Sequence, residues 1–347
     1  MIRTALALAF AVGATLGASA ATATTGDAMY TKPGQLFRAT DGARLNFYCT
    51  GQGSPTVVFD SGFLDWAPAW SIVQPRITTF ARACSYDRAG SGFSGPAPGP
   101  MTIDRIAAEL HSALRAGGVA GPYILIGAAS GGNHIRAFAD LFPNDVAGLV
   151  LLDADASDVD TPENRKNDDD GILGFVPRAQ ACRDAIAAGH SDATLPRANP
   201  ARPPLPCAQI FFRGLPELSW SSELNASLMD LGSHKVAMWD ADISEAQNIP
   251  AGEIWLQQHR RTLGRTPVRI LSTGKHGIHD LTNHPPVDLD QLRYQYEKAL
   301  AQSRWLSLSS DAKQIFVQNS SEYIGFDRPD AVVDAVREVY DKAKRPR

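Results

Sequence analysis

Residues 123–153 read YILIGAASGGNHIRAFADLFPNDVAGLVLLD, and their order of apolar run, glycine cluster, amphipathic stretch and second apolar run decides the fold. Tyr123, Ile124, Leu125 and Ile126 form the continuous apolar run of a strand buried on both faces. Gly127, Gly131 and Gly132 then leave room for a strand-to-helix turn too tight for side chains. Counted without a gap from Gly127, the G-x-S-x-G pattern of a nucleophile-bearing turn puts Ala129, which has no hydroxyl, at its centre. Ser130 comes one residue later. An A-x-S-x-G register over 128–132 restores Ser130 as the nucleophile but needs a one-residue shift of strand or helix, and the ungapped register is preferred.

Outward from this turn, 35–40 and 44–49 read as a hairpin across Asp41 and Gly42, and 56–60, 83–87, 146–153, 268–273 and 314–318 read as further strands. Ile103, Ile106, Ala107, Leu110 and Leu114 recur at helical spacing, as do Val332, Val333, Val336 and Val339. Strands alternating with helices predict an α/β fold with a mostly parallel sheet covered on both faces. The chain of 347 residues has a formal charge of −4 with both signs interspersed, which gives no global field to attract nucleic acid. Residues 1–20 have Arg3, a short apolar stretch and an A-x-A site at Ala18, Ser19 and Ala20, the pattern of a secretory signal peptide and too short for a membrane anchor. The mature protein is therefore expected to be secreted or periplasmic, where four cysteines suggest two disulfides.

Three further stretches, SPTVVFDSG at 54–62, YDRAGSGFS at 86–94 and SSEYIGFDRP at 320–329, give the chain its relatives. With the turn at Gly127, they resemble secreted bacterial members of the α/β-hydrolase superfamily, which carry YDRAGxGxS, GxSxGG and an SGHYI-type segment. The resemblance implies an eight-stranded sheet, a core of residues 21–154 and 267–347, and a helical cap over 155–266. It implies that Cys49 and Cys84, on neighbouring strands of such a sheet, form one bond, leaving Cys182 and Cys207 for the other. It also assigns roles: Ala129 at the nucleophile position, Glu322 where histidine belongs, Asp153 as the orienting acid, and the backbone N–H groups of Phe63 and Ser130 as the oxyanion site. Two of three triad positions thus hold the wrong residue type. His111, His134, His190, His234 and His259 fall on predicted helices or in the insertion; His276, His279 and His284 follow a core strand, and of these His279, beside Asp280, is the best substitute base.

The primary expectation is hydrolysis of a carboxylic ester, amide or lactone bond in a small apolar substrate by a non-standard triad. One alternative is a lyase or isomerase that uses Asp153 and Glu322 as a carboxylate pair sharing a proton. The other is a binding protein that keeps the pocket without catalysis. No cofactor loop or metal-ligand spacing occurs, and the partner expected is a small apolar molecule.

Overall fold

The computed structural model describes residues 27–156, 158–195, 203–214, 220–274 and 289–345; residues 1–20, where an export signal is expected, and His276, His279 and His284 lie outside the described residues. The chain opens with strands β1 (Gln35–Arg38), β2 (Arg44–Thr50) and β3 (Thr56–Asp60), followed by a short helix α1 (Gln74–Ile77) and β4 (Ala83–Asp87). Helix α2 (Ile103–Ala116) leads to β5 (Tyr123–Ala128), and α3 (Ser130–Leu141) leads to β6 (Val146–Leu152). A long segment follows with α4 (Pro162–Ala187), a two-residue pair β7 (Thr194–Leu195) and β8 (Leu205–Pro206), α5 (Ser222–His234) and α6 (Val236–His259). The chain then returns through β9 (Val268–Thr273), α7 (Leu289–Ser303), β10 (Ala312–Val317), α8 (Ile324–Asp327) and α9 (Pro329–Ala343).

The main sheet has eight strands among the described residues, in the order β1-β2-β4-β3-β5-β6-β9-β10. Only the β1–β2 and β2–β4 pairs are antiparallel. Every residue of β3, β4, β6 and β9 is buried, as strands covered on both faces require. From β3 the chain crosses to β4 on one side and then to β5 on the other, so the carboxyl ends of β3 and β5 border the crevice where open α/β sheets bind ligands.

Helix α2 buries Ile103, Ile106, Ala107, Leu110, Ala113 and Leu114 on one face of the sheet. On the other, α9 buries Val332, Val336 and Val339. Each such side chain contributes roughly 1.5–3 kcal/mol on full burial, so these two stripes fix the layers. Cys49 lies directly opposite Cys84 in the β2–β4 register, and the two are bonded with Cα atoms 4.1 Å apart. The Cys182–Cys207 bond ties the end of α4 to the segment after β8. Closing such a loop stabilises by about 3 kcal/mol in a chain-entropy account.

The segment between β6 and β9 carries its own apolar cluster, in which Phe211, Phe212, Trp220 and Trp239 pack with Trp66 of the core. The Trp66 and Phe212 rings are 4.3 Å apart. These aromatics, together with Trp255, are packing residues; among the described residues the cavity below is lined by others. Lys235, at the α5–α6 junction, donates to the carbonyls of Gly92 (2.5 Å) and Ser94 (2.7 Å), which pins α6 to the glycine-rich loop after β4. No helix among the described residues is long and apolar enough to cross a membrane.

Candidate functional site

Strand β5 ends at Ala128 and α3 begins at Ser130, which leaves Ala129 alone at the turn with φ 45° and ψ −123°. A non-glycine residue there is strained by roughly 1–3 kcal/mol, so the surroundings must enforce it. They do so by close approach. A Cβ on Gly131 would lie 2.4 Å from the carbonyl oxygen of Asp60, and one on Gly127 would lie 2.4 Å from the carbonyl oxygen of Gly131. The Ala129 N–H donates to the Leu152 carbonyl at 3.1 Å, tying the turn to β6. Ser130 is the first residue of the helix, not the turn residue of the shifted register.

Above the turn is a cavity of about 310 Å³ that brings together Phe63, Ala129, Ser130 and Glu322. Its apolar wall includes Ile103 and Ile106 of α2, Ile249 of α6 and Ile324 of α8. Phe63 follows β3 and is buried, its ring meeting Phe175 of α4 edge-on at 5.5 Å. Gly62 lies so near the turn that a Cβ there would be 3.3 Å from that of Ala129, which sets the Phe63 backbone beside the turn. Glu322 is half-buried just before α8.

Asp153 follows β6, buried, with φ 39°. It accepts hydrogen bonds from Lys298 Nζ (2.9 Å) and Gln302 Nε2 (3.2 Å), both on α7. The sequence reading sets Asp153 against Glu322 with only mutual repulsion between them, and the structure corrects that picture by supplying a cation. Lys298 lines the cavity and also lies 3.5 Å from Asp155. Burial lowers the Lys298 ammonium pKa, but the carboxylates of Asp153 and Asp155 outweigh it and hold the group well above its ordinary value. Asp153 is thus a buried carboxylate paired with a cation.

Asp168 of α4 lines the same cavity, and burial, aided by Asp155 and opposed by Lys298, pushes its carboxyl from 3.8 up to about 6. A raised carboxyl binds its proton more tightly in the folded state, so stability falls as pH rises from about 4 to about 6. The cost is fully present above that window. Asp168→Asn is therefore expected to melt higher than the wild type near pH 7 and to match it near pH 4. Melting curves across this range that stay parallel would contradict this assignment.

The sequence reading sets His134 aside, and the structure places it at the site. His134 lies one turn after Ser130 on α3, so both side chains share a helix face. Its Nδ1 is 3.3 Å from Asp60 Oδ1 and its Nε2 is 3.6 Å from Glu245 Oε1 of α6. The Ser130 hydroxyl donates to the same Glu245 oxygen at 3.3 Å. Arg88 closes the cluster, with Nη1 3.0 Å from Asp60 Oδ1 and Nε 3.2 Å from Glu245 Oε2. Burial raises the Asp60 carboxyl, but His134, Arg88 and the Tyr86 hydroxyl outweigh it and hold the group below its ordinary value. Asp242 moves the other way, pushed well up by burial and by Glu245. Among the described residues no cluster of His, Cys, Asp or Glu suits a metal ion.

A family model described as alpha/beta hydrolase fold matches residues 55–181. The esterase of Thermogutta terrifontis superposes with a TM-score of 0.56 at 20% identity, over 90% of this chain and 100% of that one. The chain has an α/β-hydrolase fold. The enol-lactonase of Burkholderia xenovorans LB400 shares this α/β-hydrolase architecture, with a TM-score of 0.56 at 17% identity over 88% of this chain and 99% of its own. Among curated relatives, the uncharacterized protein YqjL of Bacillus subtilis is 32% identical over 103 residues, 30% of this chain and 41% of that protein. The chain spans 29%, 41% and 35% of the lengths of the first three curated relatives it matches. Ala129, alone at the strained turn between β5 and α3, has no nucleophilic atom.

Proposed function

We propose that this protein hydrolyses carboxylic esters or lactones of small, largely apolar compounds by direct attack of water, without an acyl-enzyme. The observation that carries the reading is the joint placement of Ala129, Phe63, Ser130 and Glu322 around one cavity. The methyl of Ala129 leaves free the volume that a serine hydroxyl would fill, and a water molecule fits that volume. Glu322, in the histidine's place, takes a proton from that water as general base. The carbonyl oxygen, negatively charged in the transition state, is held by the N–H groups of Phe63 and Ser130. Two departures from the family pattern then make one mechanism, since a carboxylate suffices to activate water once no serine must be deprotonated.

The segment at 155–266 acts as the cap, with α4 and α6 supplying the roof through Asp168, Ile172 and Ile249. A periplasmic or extracellular setting suits the two disulfides. The esterase and lactonase among the similar folds are in keeping with acyl chemistry. A second reading, ligand binding without turnover, is favoured by the missing hydroxyl at Ala129. Base-release assays with p-nitrophenyl butyrate, ethyl phenylacetate and δ-valerolactone separate the two: turnover above the buffer rate supports hydrolysis, whereas binding seen by ligand-observed NMR without turnover supports the second reading.

A further inference from the structure

The mechanism above leaves unused the buried cluster of Ser130, His134, Glu245 and Asp60, although charged groups buried beside a cavity are costly unless they work or are well paired. Glu245, Ser130 and His134 all line the cavity, while Asp60 and Arg88 lie behind them. The hydrogen bond from Ser130 to Glu245, and the position of His134 between Glu245 and Asp60, make a continuous line from the cavity into the sheet. Arg88 touches both carboxylates, which fixes their orientation and balances their charge.

We propose that Ser130, backed by Glu245 and His134, is the acid that protonates the departing alcohol oxygen. This rests on the hydrolytic reading and assigns the second proton transfer that reading requires. Water attacks the carbonyl carbon while Glu322 takes one of its protons. As the bond from carbon to the alcohol oxygen breaks, that oxygen takes the Ser130 hydroxyl proton. Glu245 gives a proton to Ser130 Oγ as it takes one from the imidazolium form of His134, so no alkoxide persists. After the alcohol leaves, the proton on Glu322 passes to solvent and the cluster regains one through the opened cavity. The balance is one water consumed, with one alcohol, one carboxylate and one proton formed.

Substrates whose leaving group needs no proton separate this role from a structural one. p-Nitrophenoxide leaves unprotonated near neutral pH, whereas ethoxide does not. Ser130→Ala should therefore lower kcat for ethyl phenylacetate about 10²- to 10⁴-fold and for p-nitrophenyl phenylacetate far less, with KM moving little for either. Glu245→Gln should show the same selectivity. Equal losses on both esters would overturn the proposal. If the wild type hydrolyses neither ester, the hydrolytic reading fails, and ¹⁵N spectra of the imidazoles then judge the cluster. A His134 ring signal altered by Ser130→Ala and by Glu245→Gln sustains the coupling of the three groups, and an unaltered one overturns it.

Discussion

The pair of substitutions Ala129→Ser and Glu322→His is expected to raise kcat/KM for p-nitrophenyl butyrate by about 10²- to 10⁴-fold, the usual contribution of a positioned nucleophile and base. Most of the machinery stands ready. The turn already holds φ 45° and ψ −123°, so a serine hydroxyl would be presented without new backbone strain. The flanking glycines leave the close approaches to Asp60 and Gly131 undisturbed. Asp153 already accepts from Lys298 on one oxygen and from Gln302 on the other. The introduced imidazole must share that carboxylate, which sets the gain below that of a native triad. A burst of p-nitrophenol and an acylated peptide containing position 129 would accompany the gain. A folded double variant with no burst and no gain would show that the site is not built on a triad plan.

Glu322→Gln is expected to do the reverse, lowering kcat for every ester by about 10²- to 10⁴-fold while KM stays within a few-fold. The amide keeps the shape and loses the basic lone pair, so the loss measures proton abstraction. Glu322 is half-buried near the start of α8, and the isosteric change keeps its volume. Melting temperature, read beside kcat, separates chemistry from folding. Loss of activity that tracks a lowered melting temperature would point to a structural role.

The fold was legible because it is written in local patterns. The apolar run at Tyr123, the glycines at 127, 131 and 132 and the opposed Cys49 and Cys84 each constrain a short stretch, and the sheet order follows from their sequence. The turn at Ala129 was legible for the same reason, since the glycines around it fix its shape. Lys298 and Glu245 were not. They reach the site from α7 and α6, far along the chain from the residues they touch, and nothing in the sequence of either helix marks which charged residue will turn inward. His134 had a visible signal, its position four residues after Ser130 on one helix. It was set aside because it falls on a helix rather than after a core strand, and only the tertiary placement of Asp60 and Glu245 gives it partners.

Whether water or a serine attacks the substrate is tested most directly by treating the wild type with excess fluorophosphonate, then measuring hydrolysis of p-nitrophenyl butyrate on the same sample whose Ser130 peptide is examined by mass spectrometry. Hydrolysis that persists undiminished, with Ser130 unmodified, is the result predicted for direct attack of water. Hydrolysis abolished in proportion to phosphonylation of Ser130 would contradict it, as would a wild type with no hydrolysis to inhibit.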